Sequence, residues 1–252
     1  MDLAILRQNL KGITFDLWGT LFRDDYYPPD QPSFRELRTR FFMEQLTACG
    51  ITVDAARAQQ AYEHARNVFD ELWKQQKAFD ARLGIQVMLD FLDARVPDEV
   101  QETLVRYFQE VVNQATLKLP DGARECLHAL HGRYRLGIIS DTGWVPGRVI
   151  RQQLRRNRIL HYFSALVFSD EIGHTKPHPL LFQNAAASLG IQPQQCLHIG
   201  DLPFTDIYGA KAAGFYTAWI NKPEFQQWIE KEAYRPDLIV QSVAELQEML
   251  LT

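Results

Sequence analysis

The stretch FDLWGTLF, residues 15–22, sets a carboxylate, Asp16, shortly before a tight turn through Gly19. The residues that lead into it, GITF (12–15), form a short apolar segment that begins at a glycine. Such a segment is typical of a strand in a buried parallel sheet. Because open parallel sheets bind ligands at the carboxyl ends of their strands, Asp16 is predicted to face a ligand crevice.

Short apolar segments alternate with helical patterns over most of the chain, which predicts an α/β fold with a parallel sheet covered on both faces. Helices are expected at residues 121–131 and 179–189, the second capped at its C-terminus by Gly190. The predicted strands are GITF (12–15), RLGIIS (135–140), ALVFS (165–169), CLHIG (196–200), FYTAWI (215–220) and DLIV (237–240).

The segment from about Pro32 to Thr116 departs from this alternation, because it has almost no strand pattern and a long helical period. Three groups of apolar residues at helical spacing predict the core of a helical bundle. The groups are Phe34, Leu37, Phe41 and Leu46; Tyr62, Phe69, Leu72 and Trp73; and Leu104, Tyr107, Phe108 and Val111. We therefore expect a sheet domain of residues 1–24 and 117–252 and an inserted helical domain of residues 25–116, entered through the proline-rich segment 24–33.

The composition disfavours nucleic-acid and membrane partners. With 46% hydrophobic residues, 23% charged residues and a formal net charge of -4, the 252-residue chain is typical of a soluble globular protein. No stretch approaches the length of a membrane span, and the N-terminus lacks a signal-peptide pattern, so we expect a cytoplasmic protein. The basic cluster that follows Pro146 is expected to be a solvated helix face. It comprises Arg148, Arg151, Arg155, Arg156 and Arg158.

The three cysteines, Cys49, Cys126 and Cys196, are odd in number and far apart. This spacing indicates neither a disulfide framework nor a metal site, so we expect free thiols in a reducing compartment. The sequence leaves a monomer and a homodimer equally open, since an apolar helix face serves either as core or as interface.

Four predicted strand ends carry residues suited to phosphoryl transfer. They are Asp16 and Thr20 after the first strand, Ser140, Asp141 and Thr142 after the second, Lys176 downstream of the third, and Asp201 and Asp206 after the fourth. Mg²⁺ prefers carboxylate oxygens, so Asp16 and Asp201 are candidate magnesium ligands. A lysine neutralises a transferring phosphoryl group, a serine hydroxyl donates to its oxygens, and an aspartate can attack phosphorus to form an acyl phosphate.

The motifs that contain these residues resemble, in order, the four motifs of the haloacid dehalogenase superfamily. They are FDLWGTL with Asp16, IISDTG with Ser140, KPHP with Lys176, and GDLPFTD with Asp201 and Asp206. The resemblance spans nearly the whole chain. It implies a Rossmann-like core and identifies the helical insertion as similar to a C1 cap, a lid that closes over small substrates and excludes water.

The resemblance also implies roles for individual residues. Catalysis would fall to Asp16 and Lys176. The metal would be held by Asp16, the main-chain carbonyl of Trp18, Asp201 and Asp206, and the substrate would be contacted by Thr20, Ser140, Asp141, Thr142 and Lys176. The histidines His174, His178 and His198 lack ligand spacing, so we do not expect them to be catalytic.

Trp18 departs from the pattern of the superfamily's phosphatases, which carry a second aspartate two residues after the nucleophile. That aspartate acts as general acid towards the leaving group and then as general base towards water. Indole has no proton that titrates near neutrality, so Trp18 cannot replace it, and such catalysis is typically worth ~10²–10⁴-fold in rate. We expect efficient turnover only of small substrates with good leaving groups, unless Asp24 or Asp25 supplies the missing acid.

Two alternatives to a magnesium-dependent phosphohydrolase stay open at this point. Haloacid dehalogenases of the superfamily carry an aromatic residue at the position of Trp18 and use no metal. They replace the acid at the position of Asp201 by a hydroxyl residue, however, and tend to have tyrosine where this chain has Phe182. A carboxylate at Asp201 would also repel an anionic haloacid. The second alternative is a regulatory protein that binds phosphate or Mg²⁺ with little turnover.

Overall fold

A parallel sheet of six strands organises the residues that the computed structural model describes, 3–22 and 32–251. The strands are β1 (Gly12–Phe15), β2 (Arg135–Ser140), β3 (Phe163–Phe168), β4 (Cys196–Gly200), β5 (Tyr216–Ile220) and β6 (Leu238–Val240). Their order across the sheet is β3-β2-β1-β4-β5-β6, and every neighbouring pair is parallel. The predicted α/β fold is confirmed.

The predicted strands match the observed strands closely. The bounds of β1, β2 and β4 are those expected, and these strands are buried almost throughout, as a sheet covered on both faces requires. Strand β3 begins earlier than expected, at Phe163. It is an edge strand whose second residue, Ser164, is exposed, so its first residues lack the continuous apolar pattern of the central strands.

Helices cover both faces of the sheet and build the insertion. The α-helices are α1 (Leu3–Asn9), α2 (Phe34–Ala48), α3 (Ala55–Lys74), α4 (Ala81–Phe91), α5 (Asp98–Glu110), α6 (Ala123–His131), α7 (Gly147–Arg156), α8 (Ser169–Ile172), α9 (Pro179–Leu189), α10 (Tyr208–Ala212), α11 (Gln226–Ile229) and α12 (Val243–Leu251). Helix α9 ends at Gly190 in the left-handed conformation, as the sequence predicts. A π-helical turn, Pro203–Ile207, follows β4.

Two hydrophobic clusters pack against opposite faces of the sheet. One brings α1, α6 and α12 together through Leu6, Leu130 and Leu246, all fully buried. The other includes Ile139 of β2 and Phe182 of α9. Because the sheet is covered on both faces, its open side is the carboxyl edge, where the motif residues lie.

The helices α2–α5 lie between β1 and β2 and form the cap. Ser33 begins α2 with a capping box to Glu36, and Asp54 and Asp80 cap α3 and α4 through their side chains. The apolar faces of the four helices share one cluster, as the periodicity predicts. The exact division of the chain into domains at residues 24 and 117 stays a prediction.

Not every residue of the predicted stripes lies inside the helical bundle. Tyr62 and Phe108 are buried there, but Phe69 and Trp73, near the end of α3, are half-buried and reach towards the loop after β2. Phe69 lies close to Gly143, where a Cβ would come within 3.2 Å of its ring. A helical period predicts an apolar face but not which neighbour covers each part of it.

Trp144, in the loop after β2, inserts its ring among aromatic residues of the cap. Its ring stacks on Tyr62 with centroids 5.2 Å apart and also packs on Phe79 and Phe108 at 5.0 and 5.2 Å. We call these four residues the cap aromatic cluster. The cap core is therefore completed by a residue that belongs to the sheet domain's second motif loop.

The basic cluster on α7 is more than a solvated face. Arg148 pairs with Glu110 of the cap at 2.7 Å, Arg151 pairs with Glu171, and Arg156 donates to a main-chain carbonyl of the segment after α5. These contacts tie α7 to its neighbours at the surface. Within residues 3–22 and 32–251, no helix combines the length and the apolar character that a bilayer span needs. Asp24 and Asp25 lie outside the described residues.

Candidate active site

Two neighbouring strand ends bring the acidic residues together. Strands β1 and β4 pair in a register that sets Phe15 beside Ile199, and the Asp16 amide donates to the Ile199 carbonyl at 2.8 Å. Asp16 and Asp201 therefore leave adjacent strands side by side. With Asp206 they form a buried group in which one carboxylate oxygen from each residue lies within 4.8 Å of the others.

Asp206 returns to this group over the backbone of Gly200. A Cβ at Gly200 would lie 2.3 Å from the Asp206 carboxyl carbon, so only glycine fits there. Asp206 Oδ2 accepts a hydrogen bond of 2.9 Å from the Leu202 amide, and this bond closes the turn after β4. The spacing of the motif GDLPFTD thus folds its two aspartates onto one side of the sheet edge.

Lys176 joins the acidic group from the loop that precedes α9. Its ammonium lies 2.5 Å from an Asp16 oxygen and 2.6 Å from an Asp206 oxygen, and the residue is only 3% exposed. Its backbone amide donates to Asp141 Oδ1 at 2.8 Å. The peptide bond between Lys176 and Pro177 is cis. The sequence predicts that Asp16, Asp141, Lys176 and Asp206 lie at one edge of the sheet. In the structure Lys176 contacts each of the three aspartates.

Burial and charge pull the titrating groups of this site in different directions. Burial raises the pKa of Asp16 well above its usual range, and the nearby Lys176 ammonium offsets this only in part. For Asp206, burial also acts upwards, but Lys176 and the hydrogen bond from His198 outweigh it and hold its pKa below the usual range. For Lys176, burial acts downwards, yet the carboxylates of Asp16 and Asp206 outweigh it and raise its pKa.

The site carries an excess of negative charge. Asp16, Asp201 and Asp206 contribute three carboxylates, whereas Lys176 is the buried ammonium that faces two of them. Lys222 approaches Asp201 at 3.9 Å, but its side chain is 33% exposed and screened by water. Burial is the main cause of the raised pKa of Asp16, and the neighbouring carboxylates of Asp206 and Asp201 add to it. Three clustered carboxylates are a donor set that suits a hard divalent cation.

His198 stands behind the acidic group, a role that the sequence did not reveal. The residue lies in β4 as expected and is fully buried. Its Nε2 is 3.3 Å from Asp206 Oδ1, and its Nδ1 is 2.9 Å from the Thr14 hydroxyl on β1. His198 therefore fixes the orientation of Asp206. The sequence did offer one indication of this role: His198 lies two residues before Gly200, so both residues lie on the same face of β4.

The residues of the second motif form hydrogen bonds with two different parts of the molecule. The Ser140 hydroxyl is buried and donates to the Asp141 carbonyl at 3.0 Å. Thr142 is held by α8 instead, because its amide donates to Ser169 Oγ and the two hydroxyls are 2.8 Å apart. The structure thus links Asp141 to Lys176 directly, but it engages Thr142 with Ser169 and Asp170 and not with the acidic group.

The first motif turns tightly after Asp16. Gly19 has a φ of 75°, and the amides of Leu21 and Phe22 both donate to the Leu17 carbonyl. The Thr20 hydroxyl is buried and has no hydrogen-bond partner among the described residues, which leaves it free to donate to a ligand. Trp18 is half-buried and packs on Phe22 with ring centroids 6.2 Å apart.

A cap residue also reaches the site. The indole N–H of Trp73 donates to Asp141 Oδ2 at 2.9 Å, while the other oxygen of Asp141 accepts from Lys176. Burial raises the pKa of Asp141, against the effect of Lys176 and of the Trp73 hydrogen bond. Sequence periodicity assigned Trp73 to the core of the helical bundle and so missed this contact.

Residues 10–214 match the haloacid dehalogenase-like hydrolase family, which covers the first strand, the cap and all four motifs. The chain belongs to this family. It is therefore a hydrolase, and the predicted resemblance, core fold and C1 cap are confirmed.

Characterised relatives of this haloacid dehalogenase-like hydrolase include phosphatases. A glyceraldehyde 3-phosphate phosphatase of Pyrococcus abyssi is 30% identical over 220 residues, which cover 84% of this chain and 82% of the relative. A phosphoglycolate phosphatase of Salmonella paratyphi A is 30% identical over 217 residues, covering 82% of this chain and 79% of the relative.

Solved structures of both functional branches share the fold. An HAD phosphatase from Thermococcus onnurineus superposes with a TM-score of 0.64 at 21% identity, covering 96% of this chain and 98% of the other. A 2-haloacid dehalogenase from Pseudomonas syringae gives a TM-score of 0.65 at 21% identity with the same coverage. The fold alone is therefore common to phosphatases and dehalogenases and does not distinguish them.

Proposed function

We propose that the protein is a Mg²⁺-dependent phosphohydrolase that acts on a small phosphorylated metabolite through an aspartyl-phosphate intermediate at Asp16. The observation that carries the proposal is the buried group of Asp16, Asp201 and Asp206 around the Lys176 ammonium. Without a cation, the Asp201 carboxylate would repel an anionic haloacid, whereas a phosphatase can use the three carboxylates to hold Mg²⁺. The similarity to two phosphatases of small metabolites supports the same proposal.

The residues present fit a magnesium ion. Asp16, Asp201 and Asp206 would hold it, and the main-chain carbonyl of Trp18 would join them, since a change of side chain leaves that carbonyl in place. When bound, Mg²⁺ neutralises the charge on the phosphoryl oxygens. The fit rests on the excess of carboxylates over ammonium groups and on the raised pKa of Asp16, both of which a divalent cation would relieve.

Asp16 supplies the nucleophile. One of its oxygens attacks phosphorus, the bond from phosphorus to the leaving oxygen breaks, and the leaving oxygen keeps the electron pair. Water then attacks the phosphorus of the aspartyl phosphate and releases inorganic phosphate, which restores the carboxylate. Lys176 neutralises the phosphoryl group in both steps, and the Thr20 hydroxyl is the proposed donor to its oxygens. The Ser140 hydroxyl would join it by turning away from the Asp141 carbonyl to which it now donates.

Trp18 makes the protonation of the leaving group the weak step. No side chain at that position gives a proton to the leaving oxygen, so solvent supplies it after the bond breaks. Loss of a general acid and base is typically worth ~10²–10⁴-fold in rate, and the loss is smallest when the leaving oxygen is weakly basic. The enzyme is therefore suited to activated phosphate esters.

The dehalogenase alternative has less support from the residues. Phe182, at the position where dehalogenases tend to carry a tyrosine, is fully buried and packs edge-on against His198 and Phe215. It offers no hydroxyl to the site. Asp201 keeps its carboxylate, and the nearby Lys222 is too exposed to cancel that charge towards an anionic haloacid.

The proposal is tested by phosphate release from p-nitrophenyl phosphate with and without Mg²⁺, for the wild type, Asp16→Asn and Trp18→Asp. We expect turnover that needs Mg²⁺, loss of turnover in Asp16→Asn, and turnover of substrates with poor leaving groups that is at least ~10-fold faster in Trp18→Asp. A silent wild type that releases halide from 2-chloropropionate would establish the dehalogenase. A protein silent in both assays that still binds Mg²⁺ would be a regulatory member of the family.

A further inference from the structure

Three aromatic residues in ring-to-ring contact extend outward from the hydrogen bond between Trp73 and Asp141, and we call them the aromatic wall. They are Trp73 of α3, Phe204 of the loop after β4, and Trp228 of α11. The rings of Trp73 and Phe204 meet at 76° with centroids 5.7 Å apart, and those of Phe204 and Trp228 at 56° and 5.5 Å. All three residues are half-buried.

The wall begins at the catalytic residues. The Trp73 indole N–H is fixed on Asp141 Oδ2, and Asp141 Oδ1 accepts from the backbone amide of Lys176, whose ammonium contacts Asp16. The plane of the Trp73 ring is therefore set by a hydrogen bond and by the edge-to-face contact with Phe204. A ring held in this way loses little conformational freedom when a ligand packs on it.

The wall is also linked to the acidic group through the loop after β4. Phe204 belongs to the π-helical turn Pro203–Ile207, which also contains Asp206. In sequence, Phe204 therefore lies between the two aspartates of the fourth motif, Asp201 and Asp206. The Lys231 ammonium covers the ring of Trp228 at 4.7 Å from its centroid. Of the wall residues, the half-buried Trp73 and Phe204 are therefore the ones nearer the acidic group that no ammonium is seen to cover among the described residues, although Phe204 also packs on Phe225 at 5.9 Å.

From this placement we infer that the substrate is an aryl phosphate, a phosphate monoester whose leaving group is a phenol-type ring packed on Trp73 and Phe204. The inference rests on the proposed function and names its substrate class. A polyol or a second anionic group would lose hydrogen bonds to water against these rings, whereas an aromatic ring packs on them favourably. A phenolate also leaves without help from an acid, which suits a site that has Trp18 in place of aspartate.

Three phosphate esters distinguish recognition of an aromatic ring from the effect of the basicity of the leaving group. Benzyl phosphate and cyclohexylmethyl phosphate have leaving groups of similar size and basicity, so the ratio of their kcat/KM values measures recognition of an aromatic ring. Phenyl phosphate and benzyl phosphate share the ring, so their ratio measures dependence on the leaving group. With Mg²⁺ present, we expect the first ratio to be about 3–10 in the wild type, the range of one or two aromatic contacts.

The variants Trp73→Leu and Phe204→Leu should reduce the benzyl to cyclohexylmethyl ratio towards 1 and leave the phenyl to benzyl ratio unchanged. Trp73→Phe keeps a ring but loses the hydrogen bond to Asp141, so an intermediate ratio is expected. Tyr107→Leu is the matched control, because Tyr107 is a half-buried cap residue that stacks on Phe41 at 3.8 Å and belongs to another part of the cap. It should keep the wild-type ratio.

Inhibition of the wild type by benzylphosphonate and cyclohexylmethylphosphonate gives a second measurement that needs no variant to fold. Tighter inhibition by the aromatic compound is expected, by a similar factor. Phosphate release at equal rates from the benzyl and cyclohexylmethyl esters, with equal inhibition by the two phosphonates, would overturn the aryl preference and leave the phosphohydrolase intact. No Mg²⁺-dependent release from any of the three esters would overturn both.

Discussion

The two clusters described above are both sheltered from water, but they are held together by different forces. At the sheet edge, Asp16, Asp206 and Lys176 are buried as charged or titrating groups. In the cap, Trp144 and Tyr62 are joined by ring packing alone. Burying charge costs free energy that partners must offset, whereas burying rings contributes free energy to folding. The acidic group therefore serves chemistry, and the cap aromatic cluster serves stability.

Substitution in the acidic group should have the largest effect on activity. Lys176→Met removes the ammonium that faces Asp16 and Asp206, and we expect kcat/KM for phosphate release to fall by at least ~10³-fold, because a charge that stabilises the transition state is lost. Lys222→Met is the matched control, since Lys222 is 33% exposed and 3.9 Å from Asp201. It should lose less than ~10-fold. Similar losses in both variants would show that the buried ammonium has no special role.

Substitution in the cap aromatic cluster should instead reduce stability. Trp144→Ala removes a ring that packs on three others, and we expect the free energy of unfolding to fall by about 3–5 kcal/mol in urea titrations. Trp228→Ala, at the rim of the site, should cost less than about 2 kcal/mol, because the rings it contacts, Phe204 and Tyr234, are only half-buried. Equal losses would mean that the cap cluster is no more tightly packed than the rim.

Mg²⁺ should stabilise the protein through the acidic group, with a defined pH dependence. At a concentration of 100 times its Kd, a ligand adds about 2.7 kcal/mol, or about 5–10 °C in Tm for a chain of this size. The pKa of Asp16 is raised in the folded protein, so without cation its contribution to stability grows as the pH falls from that raised pKa towards about 3.9. Protonated Asp16 no longer attracts a cation, so the Mg²⁺ shift in Tm should shrink over the same range.

Asp201→Asn is the control for that measurement, because it removes one of the three clustered carboxylates and leaves the ion pairs of Lys176 with Asp16 and Asp206 in place. The Mg²⁺ shift in Tm should be largely lost in this variant at every pH. A shift that persists there, or that grows as the pH falls, would place the cation elsewhere.

The smallest expected difference between the cap and the sheet domain is in the reactivity of their cysteine thiols. Cys49, at the end of α2 in the cap, is half-buried, whereas burial raises the pKa of Cys126 and of Cys196 to about 12. In native conditions at pH 8, a thiol reagent should label Cys49 first and the two core thiols only on unfolding. Cys49→Ser should abolish the fast phase. A fast phase that survives would show that a core thiol is accessible.

The sheet and its strand ends were predictable because their signals are local. Asp16, Lys176 and Asp201 each follow a short apolar strand, and parallel pairing alone brings such residues to one edge. The contacts of Trp73, Trp144 and Thr142 were not predictable in the same way. Each joins elements that are far apart in sequence, and periodicity reports that a face is apolar without reporting what it meets.

The position of Trp144 also constrains how substrate enters and product leaves. Trp144 is seated in the cap, and Asp141 on the same short loop holds the backbone of Lys176. Three residues span at most ~11 Å, so little slack separates the two anchors. A displacement of the cap with Trp144 seated would therefore act on Asp141 and, through it, on the backbone of Lys176. The cap core and the lysine of the site are in this way mechanically coupled through one short loop, residues 141–144.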